Sequence, residues 1–264
     1  MDVGQGDCTL IRNEGKSILI DSGGSLDDSF DVGKATLLPY LLDRKITKID
    51  YIFISHFDSD HCQGFIYILE NMNVGNIIIG KQFETYDNYK KISNIANKKK
   101  VKIREVEAGT IIKITKDMYF QVLWPSSENK ISENAINNNS MVCKLVYKNF
   151  SMLFTGDIEE IAEKAILEKY KYNLKILSST ILKVAHHGSK TSSIKELLGV
   201  INPKYAVIGV GKDNKFGHPS EGTLINLKSI NSKIFRTDEM GEISIEINNY
   251  NSKIRIKRII CKSL

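Results

Sequence analysis

Short apolar runs alternate along the chain with stretches in which apolar positions recur every three or four residues, and the two periods predict different elements. "CTLIRNEGKSILIDSGG" reads as a hairpin, two strands turned at Asn13–Gly15 and ending in a glycine loop. "KATLLPYLLDRK" has helical spacing, with Pro39 placed to kink or interrupt it. "IDYIFISH" is apolar without a break, as a strand buried on both faces is expected to be. A helix ("GFIYILENM") and another such strand ("VGNIIIG") follow. The middle, 83–121, mixes a polar helix ("YDNYKKISNIANKKK") with three strands ("KIREVEAG", "TIIKI", "MYFQVLWP").

"SSENKISENAINNNS", 126–140, is poor in apolar residues and rich in Asn, so it reads as a long surface loop. The pattern then restarts. Strands at "MVCKLVY" and "SMLFTGD" lead into the helix "IEEIAEKAILEKYKY", and "STILKVAHHGS" is a strand with a polar exit. "SSIKELLGVIN" and "EGTLINLKSI" are helices on either side of the strand "YAVIGVG", and "KIFRT", "GEISIEI" and "KIRIKRII" close the chain as strands. Two halves of similar layout, joined near 126–140, bury all these runs if two sheets pack face to face with helices outside both. One domain over 1–264 is expected, with no linker between the halves.

Composition changes this picture little. Of the 264 residues, 42% are hydrophobic and 26% charged, as in an ordinary soluble globular protein. The apolar runs are too short to cross a bilayer, and the acidic, Gly-rich "MDVGQGD" does not read as a signal peptide. The net charge of +6 suits a polyanionic partner without demanding one, since the lysine runs at 97–102 and 253–258 read first as solvated surface. Cys8, Cys62, Cys143 and Cys261 form no CxxC pair, which excludes a zinc finger, and they are expected to be small buried thiols.

The chemistry concentrates at strand exits. The chain holds five histidines, and His56, His61, His186, His187 and His218 each lie at the end of a predicted strand or in the loop after it, beside Asp, Gly or Pro. Open sheets place their sites there. In "SHFDSDH", His56 and Asp58 project to one side of an extended backbone, and Asp60 and His61 follow as the chain turns into a helix. One short loop can thus offer two ligands to each of two metal ions, while Phe57 points into the core. Asp157, after the strand "SMLFTG", is either a carboxylate bridging the two ions or a cap for the helix from Ile158.

The stretches "DVGQGD" (2–7), "ILIDSGG" (18–24), "SHFDSDHCQG" (55–64), "NNNSMV" (137–142), "LFTGDIE" (153–159), "LKVAHHGS" (182–189), "NKFGHPS" (214–220) and "RTDEMG" (236–241) run through nearly the whole chain in a family's order. On them the sequence resembles the metallo-β-lactamase superfamily, and within it the hydrolase domain of ComEC-type DNA-uptake competence proteins. The resemblance implies an αββα four-layer sandwich with a dinuclear centre along one edge. His56 and Asp58 would hold one ion and Asp60 and His61 the other, with Asp157 bridging. Most members of the superfamily have His in place of Asp58, and many have a further ligand His where this chain has Asn137–Ser140. His186 is the candidate to fill that gap and His218 to complete the second ion, leaving His187 to face substrate phosphate or support a ligand. An Asp in place of a His moves the preference from Zn²⁺ towards Mn²⁺, and either ion suits the set.

Asp7 and Asp21 lie in glycine-flanked loops, where they either orient ligands or are surface turn residues. Asn138, Asn139 and Ser140 are candidates to bond substrate or metal-bound water, the alternative being a plain Asn-rich loop. Lys212 and Asn214 are candidates for phosphate contact. The resemblance implies phosphodiester hydrolysis, with DNA as substrate, by a hydroxide bridging two ions; Asp60, Asp157 and His187 would be catalytic. A phosphocholine ester or another phosphodiester is the second possibility, a lactam the third, and a non-enzymatic metal-binding module the alternative of another class. Relatives carry a longer first strand before "DVGQGD", so the chain is expected either as a domain fused to or associated with a membrane DNA-uptake channel, on the outer face of the membrane, or as a stand-alone cytoplasmic monomer.

Overall fold

Ile18, Leu19 and Ile20 alternate between the two faces of one strand, and all three are buried. Such a strand needs cover on both sides. The computed structural model, which describes residues 1–25, 30–248 and 254–259, provides it with two sheets. The first runs in the order β1 (Thr9–Asn13), β2 (Lys16–Ile20), β3 (Lys48–Ile54), β4 (Asn73–Gly80), β5 (Lys102–Val106). Its β1–β2 pair is the expected antiparallel hairpin, and β2 to β5 are parallel. The second comprises β6 (Ile111–Lys113), β7 (Met118–Trp124), β8 (Val142–Tyr147), β9 (Phe150–Phe154), β10 (Ile181–Lys183), β11 (Tyr205–Ile208) and β12 (Lys233–Arg236), hydrogen-bonded in the order β12-β11-β10-β9-β8-β7-β6. Its β6–β9 part is antiparallel and its β9–β12 part parallel. A separate hairpin pairs β13 (Glu242–Ile247) with β14 (Ile254–Ile259); Lys253, Ile260 and Cys261, which belong to the last predicted strand and the cysteine set, lie outside the described residues.

Side-chain alternation sorts the core into three layers of contact. Leu19, Ile52, Ile54 and Ile77 face outward and pack with Leu37, Leu41, Phe65, Ile68 and Ile92. Those five come from the helical stretch Gly33–Leu37, α1 (Leu38–Asp43), α3 (Gly64–Asn71) and α4 (Asp87–Lys99), while α2 (Ser59–Cys62) is a single turn after β3. Ile18, Ile20, Phe53 and Ile78 face inward and meet Phe120, Val122, Cys143, Phe154 and Ile181 of the second sheet. Phe53 and Phe120 touch across that interface with ring centroids 4.4 Å apart, and each buried ring of this kind stabilises the fold by about 1.5–3 kcal/mol. On the far side, Leu153, Leu182 and Ala206 pack with Ile158, Ala162, Leu197 and Leu227. Here lie α5 (Ala135–Asn138), α6 (Glu160–Lys169), α7 (Lys195–Ile201), α8 (Glu221–Ser229) and the turn α9 (Thr237–Met240). The order helix, sheet, sheet, helix is the four-layer sandwich expected.

The chain passes between sheets earlier than its pattern suggests. β5 ends the first sheet and β6 begins the second, so the crossing lies at 107–110 rather than at 126–140. The Asn-rich stretch instead joins β7 to β8, which pair antiparallel inside the second sheet. It is also no free loop, since Asn137 to Ser140 are buried.

Candidate metal centre

β3, β9, β10 and β11 are parallel members of their sheets, and their C-terminal ends deliver His56, Asp157, His186–His187 and the His218 loop to one rim. Close backbone packing fixes the loops there. Ser22 and Asp7 donate N–H bonds to the carbonyls of His61 and Asp60, at 2.7 and 3.2 Å. An ideal Cβ at Gly24 would stand 1.9 Å from the Ser59 carbonyl oxygen, so only glycine lets this loop reach the motif. Gly156 has φ +53° and abuts Ser140, which turns Asp157 into the rim.

Asp60, His61, Asp157 and His187 each offer one ligand atom, and these four atoms lie within 4.8 Å of one another. His61 Nε2 is 3.1 Å from Asp157 Oδ1, and His187 Nε2 is 3.2 Å from Asp60 Oδ2 and 3.5 Å from Asp157 Oδ2. Each imidazole is anchored through its other nitrogen. His187 Nδ1 donates to the Gly209 carbonyl at 2.8 Å, and His61 Nδ1 faces Asp21 Oδ2 at 3.0 Å. Asp21 is in turn held by the N–H and hydroxyl of Ser55, both at 2.8 Å. With Nδ1 protonated in both rings, the two Nε2 lone pairs confront each other at 3.3 Å. Such an arrangement calls for a positive charge there, a proton or a cation.

The electrostatics show the same demand. Burial pushes the Asp157 carboxyl up, but His61 and His187 overrule it and hold it well below the usual range; Asp60 is lowered against its own burial by His187 and His61. Burial opposes charge on His187, yet Asp157 and Asp7 push the imidazole up to about 10. Five buried atoms of the rim, Asp7 Oδ1, His56 Nε2, Asp157 Oδ1, His186 Nδ1 and His218 Nδ1, have no hydrogen-bond partner among the described residues. Desolvated carboxylates, anchored imidazoles whose Nε2 atoms converge on them, and orphaned polar atoms fit a divalent cation.

The remaining candidates surround this cluster. His56 stacks obliquely on His61 with centroids 4.2 Å apart, and its Nε2 lies 3.6 Å from Asp58 Oδ2, which is half-exposed. The sequence reading put His186 among the ligands and His187 outside; the geometry brings His187 into the four-residue cluster and leaves His186 at its margin, Nε2 3.8 Å from Asp157 Oδ2. The cause is local backbone. His186 and His187 both take left-handed φ, 49° and 53°, so the chain twists sharply and turns the second ring inward. His218 faces both, its centroid 5.7 Å from His186 and 6.4 Å from His187; burial, with the neighbouring imidazoles, lowers it to about 4. Asp157 is not a helix cap: α6 is preceded by Glu159, and the Asp157 carboxylate turns to the cluster.

Asn138, Asn139, Ser140 and Asn214 have internal uses. Asn138 accepts from the Glu159 N–H at 2.9 Å and donates to the Glu133 carbonyl at 2.9 Å. Asn139 donates to the carbonyls of Ile131 and Ala135, both at 2.7 Å. Ser140 Oγ accepts from the Asp157 N–H at 3.3 Å, and Asn214 bonds four backbone groups of its own loop. Lys212 is exposed. Two supporting residues escaped the sequence reading. Lys183 is buried and pairs with Asp7 Oδ2 at 2.6 Å beneath His187; its signal was a lone cation inside the apolar run "TILKVA". Glu159 joins Asn134, Asn138 and Thr191 at 3.0, 3.3 and 2.9 Å, and nothing in its sequence context marks it.

Residues 1–123 match the metallo-beta-lactamase superfamily. ComE operon protein 3 of Bacillus subtilis (strain 168) is 31% identical over 261 residues, covering 94% of this chain and 33% of that protein. The chain is thus similar to proteins of the metallo-beta-lactamase superfamily. Competence protein ComA of Neisseria gonorrhoeae is 28% identical, with 98% of this chain and 33% of that protein covered. The chain thus spans about a third of the length of these curated relatives. Among solved structures, a putative metal-dependent hydrolase from Parabacteroides distasonis superposes with a TM-score of 0.53 at 15% identity, covering 90% of this chain and 91% of the other. At that identity the likeness concerns the fold.

Proposed function

We propose that the chain is a metal-dependent hydrolase of phosphodiesters acting on nucleic acid. The observation that carries this reading is the meeting of two anchored imidazole lone pairs with Asp60 and Asp157 at a buried rim. Asp60, His61, Asp157 and His187 would hold one divalent cation, and His56 and Asp58 a second, with Asp157 shared between them. His186 and His218 stand on the open side, where they would meet phosphate oxygens. Bound cations would supply Lewis acidity to water and to the phosphoryl group. The donor set of imidazole and carboxylate, without thiolate, suits Mn²⁺ or Zn²⁺; Cys8, Cys62 and Cys143 are buried, and burial pushes their thiols upward, Cys8 to about 12.

Nucleic acid is supported by the names of the relatives, two competence-type proteins and recombination protein 2 of Haemophilus influenzae, and by the net charge of +6. Among the described residues no helix is long and apolar enough to cross a membrane; in a role beside a DNA-uptake channel this unit would be fused to the channel or associated with it. The test is elemental analysis joined to a nicking assay. Two equivalents of Mn²⁺ or Zn²⁺ per chain, and plasmid nicking that chelator stops and Asp157→Asn lowers at least about 100-fold, are expected. A protein that takes up neither metal overturns the reading; turnover of small diesters but not DNA overturns its nucleic-acid part.

A further inference from the structure

Phe216 leaves 54% of its surface in solvent beside the metal centre. Its ring lies 5.7 Å from that of His218, only 26° from parallel. The loop bearing it is built to hold this position. Asn214 Oδ1 accepts from the N–H groups of Phe216 and His218, at 3.2 and 3.0 Å, and its Nδ2 donates to the carbonyls of Gly211 and His218, at 3.1 and 2.7 Å. Lys212 and Lys215, in the same loop, and Lys190, after the His187 turn, are exposed and make no ion pair among the described residues.

We propose that Phe216 is a stacking platform for an unpaired nucleobase of the strand whose phosphate occupies the centre, so that the site selects single-stranded over duplex nucleic acid. This rests on the phosphodiesterase reading above and narrows its substrate. A planar, fixed, solvent-facing ring offers a base one π-face, and the three lysines offer its backbone charge. Within a duplex the bases cover one another's faces, so only an unpaired or frayed strand can use the ring. One ring-to-ring step leads from Phe216 to His218 and a second from His218 to His187, which puts the platform beside the reacting phosphate rather than on it. Across the rim, Phe83 and Tyr86 line a small crevice with His56 and Lys81.

The experiment measures binding by metal-free protein and cleavage by metal-loaded protein for wild type, Phe216→Ala and Phe216→Trp. The probes are a fluorescent single strand of about a dozen nucleotides, its duplex, and a same-length strand of tetrahydrofuran abasic residues. Loss of one stacked base weakens single-strand binding about 5- to 100-fold, so Phe216→Ala should show that loss, Phe216→Trp should restore binding, and all three proteins should bind the abasic strand alike. Metal content, read by elemental analysis, should stay the same, showing that His218 is undisturbed. Equal affinity of wild type and Phe216→Ala for the normal strand overturns the proposal, as does an equal loss on normal and abasic strands. If wild type cleaves nucleic acid while Phe216→Ala changes nothing, only the stacking proposal fails; if wild type neither binds nor cleaves any strand, the nucleic-acid reading fails with it.

Discussion

His61 and His187 share one device: each commits Nδ1 to a fixed acceptor and presents Nε2 to the rim. For His61 the acceptor is Asp21, locked by Ser55. Asp21 therefore acts through another residue, by fixing a tautomer and a ring orientation. Asp21→Asn keeps the shape but removes the charge that holds the Nδ1 proton, and it should lower metal affinity about 10- to 100-fold, read by competition with a chromophoric chelator. Unchanged affinity would show that the Asp21 bond is incidental. This pairing was partly legible in the sequence, which singled out Asp21 as an orienting candidate from its glycine-flanked position. The choice between His186 and His187 was not. Two adjacent identical side chains differ only through backbone twist, and the left-handed φ of both residues follows from how the loop packs, which no spacing rule reports.

At the scale of elements, strands buried on both faces announced themselves as unbroken apolar runs, and the motif at the exit of β3 was readable for that reason. The point of crossing between sheets was hidden, because it depends on which strands pair. Contacts between helices were equally silent. Glu163 of α6 is buried and accepts the N–H bonds of Ser193 and Ile194, at 2.7 and 2.9 Å, fastening α6 to the start of α7 just beyond the His186–His187 loop. Burial outweighs those bonds and pushes its carboxyl from 4.5 up to about 7. Between those values the folded chain keeps a proton that the unfolded chain has lost. Stability therefore falls as pH rises across that window and is flat above it, by about 3 kcal/mol in all. Urea midpoints at pH 5, near the lower end of that window, and at pH 8, about one unit above its upper end, should show that slope in wild type and a flatter one in Glu163→Gln. Parallel slopes would assign the pH dependence elsewhere.

For the molecule as a whole, the rim is a seam. His56, Asp58, Asp60 and His61 leave the first sheet, and Asp157, His187 and His218 leave the second. Metal held between them would resist separation of the two sheets as well as serve chemistry. Saturating the centre at a hundred times its Kd adds about 2.7 kcal/mol to stability, which for a chain of this size raises Tm by roughly 5–10 °C. Scanning calorimetry with and without chelator should show that fall, and an unaltered Tm would count against metal at the seam.

The seam also sets an order of events in synthesis. Asp60 and His61 are made before any strand of the second sheet and can settle at the tip of a parallel sheet as soon as β5 has joined it. Their counterparts are about a hundred residues further on, because the second sheet must be laid down before its own parallel strands reach the rim. No growing chain that stops before His187 can bring the four clustered side chains together. A ribosome-bound intermediate would carry an imidazole–carboxylate half-set, and tight capture of a cation would mark the arrival of the second half.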